Sequence, residues 1–460
     1  MKKTKIVCTI GPASNDTAVL ERMIRAGMNV ARINLSHGDH DEHLQMIQNI
    51  REAAARAGVP LAVMVDTKGS GLRTGRLNAG RVSLKENDKI ILVEDKNAGD
   101  EKHIPVNYKG LSKYVRPGDK ILLQDGEIGL RVLEIKNAEI VCQVMNSGVL
   151  GERKSVHIPG VELPAVFDES DIEFAVKADV DYLSASFVRS AEDVKRISEI
   201  LGKSEVEIVA KIETRESLEH IDEIINIADA VMVARGDLGV DLDVEELPLV
   251  QKKLVRKCNR AGKPVIIATQ MLLSMVKSPR PTRAEATDVA NAILDGTDAV
   301  MLSEETAIGE YPVEAVEMMS RIAHSIESSA LAYLRRSGEI GSVPEAIGES
   351  ACEIAQRLNA AAIIANTTSG YTAKLVAKFR PKTPIIAVAY SDKVLNKCAL
   401  IWGVYAIKIP FLTDTDLMLK RSIEAAAEGG FVKKGDCVVI TAGVPFGVVG
   451  TTNLIKVERV

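Results

Sequence analysis

Apolar residues recur along this chain with two different periods. Three short apolar runs, Ile6 to Thr9, Val30 to Asn34 and Leu61 to Asp66, read as strands, while Val19, Leu20, Met23 and Ile24 fall at helical spacing between the first two. Gly27 just past the first helix, and Gly58 with Pro60 past a second, supply stop signals. From about Ser70 to Pro159 the rhythm changes to short alternating runs broken by Pro117-Gly118, Asp125-Gly126 and Lys136-Asn137, which predicts an all-β insertion. The βα rhythm then resumes with strands at Tyr182 to Ser186, Glu207 to Ile212, Ala230 to Ala234, Val265 to Ala268 and Ala299 to Leu302. Helices are expected at Glu192 to Leu201, Ser217 to Ile225, Pro248 to Ala261 and Arg283 to Leu294. Three strands and five make the eight of a (β/α)₈ barrel, with the insertion leaving from its C-terminal face. The polar stretch Leu334 to Val343 reads as a linker to a further α/β block. The expected organisation is therefore a barrel over 1–69 and 160–333, a β-barrel-like lid over 70–159, and a C-terminal α/β domain over 344–460.

In such a barrel, side chains at the C-terminal ends of the strands face the active site. Here those ends are Arg32-Ile33-Asn34-Leu35-Ser36-His37, Asp66-Thr67-Lys68, Ser184-Ala185-Ser186 with Arg189, Lys211-Ile212-Glu213, Arg235-Gly236-Asp237, Thr269-Gln270 and Ser303-Glu304-Glu305. Lys211 and Glu213 are two apart on a strand and share a face, and Asp237 comes from the next strand, so Glu213 and Asp237 can converge on one cation. A carboxylate pair suits Mg²⁺ or Mn²⁺, with water and substrate oxygens completing the shell. Taken alone, Lys211 and Glu213 read equally well as a barrel salt bridge. The amides from Gly236 to Leu238 can open a short helix that holds an anion, although the same residues also make an ordinary turn.

Composition narrows the choice of partners. The chain has 460 residues, 46% of them hydrophobic and 26% charged, with a net charge of −5 and both signs interspersed. That balance predicts folded domains and lacks the basic stripe that nucleic acid or an anionic membrane requires. Six cysteines lie far apart with no CxxC, which argues against a zinc site or a disulfide framework and for a reducing compartment. The N-terminal Met1-Lys2-Lys3-Thr4-Lys5 is followed by an apolar run too short for a signal peptide, and no run is long enough to cross a membrane. A cytoplasmic location is expected.

At this point the residues resemble the pyruvate kinase family along essentially the whole chain. The matching segments, in order, are K-T-K-I-V-C-T-I-G-P-A-S, G-M-N-V-A-R-I-N-L-S-H-G, V-D-T-K-G, I-V-A-K-I-E-T-R-E-S-L, M-V-A-R-G-D-L-G-V, I-I-A-T-Q-M-L-L-S-M and P-R-P-T-R-A-E-A-T-D-V-A-N-A-I-L-D-G-T-D-A-V-M-L-S. The resemblance implies transfer of the phosphoryl group of phosphoenolpyruvate to ADP, giving pyruvate and ATP. It also implies a homotetramer and allosteric control. By residue-to-residue carry-over, Glu213 and Asp237 would bind the divalent cation, and Asn34, Ser36, Asp66 and the Thr67 carbonyl a monovalent one, usually K⁺. Lys211 would contact the transferring phosphoryl group, and Gly236 and Asp237 would help hold the substrate. Arg32 and Arg73 would hold phosphates, His37 would lie near the nucleotide, and Thr269 would sit by the methylene carbon that receives a proton.

The chain also departs from the family pattern. Where the family reads K-G-P-E-I-R, this chain has Lys68-Gly69-Ser70-Gly71-Leu72-Arg73, and the glycine at 71 leaves the K⁺ requirement open. Ser303-Glu304-Glu305-Thr306-Ala307-Ile308-Gly309 replaces a glycine by an acid and a lysine by Ile308, and Leu163 to Asp171 is shortened and lacks a lysine, so nucleotide contacts are expected to differ. In the last block, Ile363 to Asn366 reads as a strand and Thr372 to Phe379 as a helix, joined by Thr367-Thr368-Ser369-Gly370-Tyr371. Thr367 to Thr372 suit a phosphate site at a helix N-terminus, or a simple cap. The later loop Gly443-Val444-Pro445-Phe446-Gly447 has no arginine, which favours a monophosphate effector such as AMP or a sugar monophosphate. Two rivals remain: a metal-dependent barrel lyase acting on an enolate, disfavoured by Arg32, Arg73 and the lid, and a sensor without catalysis, disfavoured by Lys211, Glu213, Asp237 and Thr269.

Overall fold

The computed structural model describes residues 1–69, 72–94, 98–124, 126–161, 168–329, 341–444 and 450–460. Eight parallel strands close into a barrel, running in chain order as Lys5–Thr9, Val30–Asn34, Ala62–Asp66, Tyr182–Ala185, Glu207–Ile212, Ala230–Ala234, Val265–Ala268 and Ala299–Leu302. Each run differs by at most a residue from the strand expected of it. The period of two sorts their side chains cleanly. Val7, Val30, Met64, Tyr182, Val209 and Met232 fill the lumen, while their chain neighbours Ile6, Ala31, Val63, Leu183, Ile208 and Val231 pack under the surrounding helices.

The helices show what periodicity resolves and what it misses. Ala191–Leu201, Leu247–Ala261 and Arg283–Asp295 lie within a residue of expectation. The single helix expected from Ser217 to Ile225 is instead two, Arg215–Glu219 and Ile221–Ile227, broken at His220 (φ −103°, ψ 15°). Ile221, Ile224 and Ile225 still face the core across that break, so the apolar spacing gave no sign of it. Glu169–Lys177 and Pro312–Glu327 are further barrel helices that the sequence reading did not name.

The insertion after the third strand forms a six-stranded and a two-stranded sheet around one apolar core that includes Leu84, Ile90, Ile104, Ile121, Leu130 and Val144. Among its described residues it contains one short 3₁₀ turn, Leu111–Lys113. The C-terminal block is a five-stranded sheet, parallel except for the edge strand Thr452–Arg459, with helices on both faces. Its first helix, Val343–Arg357, is capped by Ser342, which accepts from the Glu345 amide. The hinge residues Ser70 and Gly71, the shortened segment 163–167, linker residues 334–340 and Pro445 to Gly447 lie outside the described residues.

The C-terminal block sits under the N-terminal rim of the barrel. Ala399 and Leu400 plug the lumen from below, and the Tyr182 hydroxyl donates to Lys397 O (2.7 Å). Lys3 Nζ donates to Pro381 O (2.7 Å), Lys5 Nζ to Val404 O (2.5 Å), and Arg380 pairs with Asp298 (2.8 Å). Among the described residues no helix is long and apolar enough to cross a membrane.

Candidate active site

Strand parity delivers the polar residues of the opposite rim into one cleft of about 470 Å³ between barrel and lid. Arg32, Asn34, Ser36, Asp66, Thr67, Arg73, Lys211, Glu213 and Asp237 all line it. The structure therefore gathers nine of the expected site residues on one surface. Asn34 and Asp66 are register partners on adjacent strands, as are Asp66 and Ser184, so strands two to four end at one level.

Lys211 sits at the centre of the floor. Its Nζ lies 2.9 Å from Glu213 Oε1 and 3.3 Å from Asp66 Oδ1, and donates to Ser186 Oγ at 2.8 Å. Burial alone would drive its proton off, but Asp66 and Glu213 outweigh burial and hold the ammonium charged, above its ordinary pKa. The same competition comes out differently for its partners. Burial would raise the Asp66 carboxyl, yet Arg32 and Lys211 hold it below the usual carboxylate range. Burial does raise Glu213, Lys211 opposes this, and the nearby Asp237 charge adds to it. Arg32 is fixed on Asp66 and on Thr9 Oγ1 (2.9 Å).

Several buried polar atoms here have no hydrogen-bond partner: Glu213 Oε1, Asp66 Oδ1 and Arg32 Nε. The Lys211–Glu213 contact is thus close in charge without being an aligned hydrogen bond, and Glu213 is held instead through Oε2 by the Phe187 amide (2.7 Å). An orphaned carboxylate oxygen aimed into a polar cleft fits a cation, and an orphaned guanidinium N–H fits an anion. Among the described residues no three His, Cys, Asp or Glu side chains cluster to hold a metal on their own. A cation at Glu213 and Asp237 needs oxygens from elsewhere.

Other expected residues sit beyond the cleft wall. His37 is exposed, and its carbonyl accepts from His43 Nε2 (2.6 Å). Thr269 stands behind the wall, its hydroxyl accepting from the Gly236 amide (2.9 Å) and donating to Ala268 O (2.7 Å). Thr269 has φ +70° and Gln270 +54°, a strained backbone for a β-branched residue and its neighbour. The short helix after strand six begins at Arg235, one residue before Gly236, and Arg235 pairs with Asp288 (2.7 Å) as a brace. Glu305 is likewise structural: 1% exposed, it accepts from the Leu272 (3.0 Å) and Ser303 (2.7 Å) amides. The sequence reading placed Ser186 at the rim but gave it no role, and gave none to Asp171; Ser186 donates to Thr67 O (2.9 Å) and accepts from Lys211, and Asp171 anchors Lys68 (3.3 Å).

Residues 1–316 match the family described as pyruvate kinase, barrel domain, and residues 345–458 match pyruvate kinase, alpha/beta domain. The chain belongs to the pyruvate kinase family. It is similar to the pyruvate kinase of Geobacillus stearothermophilus, 50% identical over 99% of this chain and 80% of that protein. The pyruvate kinase of Clostridium acetobutylicum is 44% identical over the full length of both chains, and that of Staphylococcus aureus strain MRSA252 is 46% identical over all of this chain and 81% of its own. A pyruvate kinase is a phosphotransferase that converts phosphoenolpyruvate and ADP to pyruvate and ATP, and the family works with a divalent metal ion and potassium.

Proposed function

We propose that this pyruvate kinase chemistry is carried by Lys211, with Glu213 and Asp237 holding Mg²⁺ or Mn²⁺ beside it. The observation that carries the reading is the ammonium of Lys211 locked in its charged form at the floor of the cleft, 2.9 Å from Glu213 Oε1, a buried carboxylate oxygen with no aligned hydrogen bond. When bound, the divalent cation neutralises charge on the substrate oxygens. Lys211 lies against the transferring phosphoryl group and stabilises the charge that spreads over its oxygens. Arg32, braced by Asp66 and Thr9, offers its unpaired Nε to a phosphate oxygen, and Arg73 offers its guanidinium from the lid side of the cleft. Gly236 and Asp237 border the carboxylate end of phosphoenolpyruvate, and Thr269 is assigned to the side of the methylene carbon that receives a proton. His37 is assigned to the nucleotide edge.

Asn34 Oδ1, Ser36, Asp66 and the Thr67 carbonyl form an all-oxygen set for K⁺. Asp66 Oδ1 has no hydrogen-bond donor, although Asn34 Oδ1 already accepts from the Ser36 amide (3.1 Å). The barrel is assigned to 1–69 and 160–333, the lid to 70–159 and the effector domain to 344–460. Thr367, Thr368, Ser369, Gly370, Tyr371 and Thr372 are assigned to a phosphorylated effector, AMP or a sugar monophosphate. The helix Tyr371–Lys378 starts from Gly370 (φ +87°), so no side chain caps its first amides, and nearby Asn366 Nδ2 is buried without a partner. Thr367 Oγ1 accepts from the Gly370 amide (2.9 Å), and Thr372 is tied to Thr452 (3.0 Å). A homotetramer in the cytoplasm completes the reading; six free cysteines suit that compartment.

The test is direct. Pure protein with phosphoenolpyruvate and ADP, with and without Mg²⁺ and with and without K⁺, is expected to yield pyruvate only when the divalent cation is present. Absence of pyruvate under every cation condition would overturn the assignment in favour of a sensor.

A further inference from the structure

The short helix Arg235–Asp241 has two functional ends. Asp237 and Asp241 are four residues apart, hence one turn apart on the same face, and both line the cleft. Asp241 is where the lid arrives. His157, the last residue of the lid strand Val156–His157, lies with Nε2 at 2.8 Å from Asp241 Oδ1, so Nε2 donates there. The other oxygen, Oδ2, accepts from the Arg215 amide (2.5 Å), two residues beyond Glu213. The pair is well shielded, with the His157 side chain 23% exposed and Asp241 8%. Burial alone would raise the Asp241 carboxyl, but His157 and Arg215 hold it below the usual range.

A second lid element reaches the same helix end. Val156–His157 pairs with the strand Lys120–Leu123, which also pairs with Ile128–Lys136. In the turn between those two strands, a methyl group placed on Gly126 would lie 3.9 Å from Val240 Cγ1. Two parts of the lid therefore close on Val240 and Asp241. Arg215 itself leaves Oδ1 to the imidazole, since its guanidinium turns to Glu246 (3.0 Å).

We propose that His157 and Asp241 form a positioning latch, which fastens the lid to this helix one turn from Asp237 and so couples lid closure to the carboxylates of the cleft floor. Neither residue touches the reacting atoms. The proposal rests on the reading of this cleft as the reaction site, and its structural arm is read without turnover. His157→Ala and Asp241→Asn are each expected to lower kcat/KM for phosphoenolpyruvate about tenfold, with the double variant no worse than either single one. His157→Gln keeps an N–H donor and should recover to within about twofold. In His157→Ala, amide hydrogen exchange should quicken both in the lid around Val156 and His157 and in Arg235–Asp241, while the midpoint of thermal unfolding stays within about 2 °C. Additive losses, unchanged kcat/KM, or exchange in Arg235–Asp241 that matches wild type would each overturn the latch. A wild-type protein without turnover would instead strike at the functional reading and leave the exchange experiment intact.

Discussion

The two rims of the barrel both bury lysines, and they treat them in opposite ways. At the C-terminal rim Lys211 has carboxylate oxygens at 2.9 and 3.3 Å, and its ammonium is held above its ordinary pKa. At the N-terminal rim Lys3 and Lys5 are equally buried, but their ammonium groups donate to backbone carbonyls and lie 5.0 Å from the ring centroids of Trp402 and Tyr405. Burial pushes both down to about 8. Glu327, whose charge acts on both, is occupied by the backbone amides of Lys3 (2.7 Å) and Thr4 (2.6 Å). Carbonyl dipoles and ring faces replace the lost hydration only in part, whereas two formal negative charges more than replace it. One rim holds its lysine as a charged ammonium between carboxylates; the other uses lysines as long hydrogen-bond donors to dock a domain.

The sharpest way to break this comparison is Lys211→Met. It should slow phosphoryl transfer on the order of 10² to 10⁴-fold with folding retained, measured by steady-state pyruvate formation alongside circular dichroism. Near-normal turnover would mean that the charged lysine is ornamental to the reaction. Lys5→Met is the matched change at the other rim. It strands Val404 O without its donor but also relieves a costly buried ammonium, so stability in a denaturant titration should move by no more than about 2 kcal/mol, with kcat unchanged. A tenfold fall in kcat would show that the lower rim speaks to the active site.

The smallest effect, taken per pH unit, is in the pH dependence. Lys5 has a folded pKa of about 8 against an ordinary 10.5, so between these values the unfolded chain binds more protons, and this group's contribution to stability rises with pH. The slope is at most about 1.4 kcal/mol per pH unit. The buried thiols of Cys8, Cys142, Cys258 and Cys398, raised by burial, push the opposite way, so the quantity to measure is the difference between wild type and Lys5→Met from pH 8 to 10. A flat difference would contradict a lowered Lys5.

What the sequence determined by itself was the strand pattern, which local period governs. Alternation along Glu207–Ile212 sends Val209 and Lys211 inward and Ala210 and Ile212 outward, so the count of eight strands and the shared face of Lys211 and Glu213 were legible without coordinates. The inserted β-rich lid was legible for the same reason. Only the tertiary structure decided which charge finds which partner. Arg32 on Asp66, Glu305 turned inward, Lys3 and Lys5 on the C-terminal block, and His157 on Asp241 join residues far apart in the chain. A rim lists charged residues without saying how deep each is buried or what lies opposite, and burial set against partner charge is what separates an ammonium held charged from a docking one.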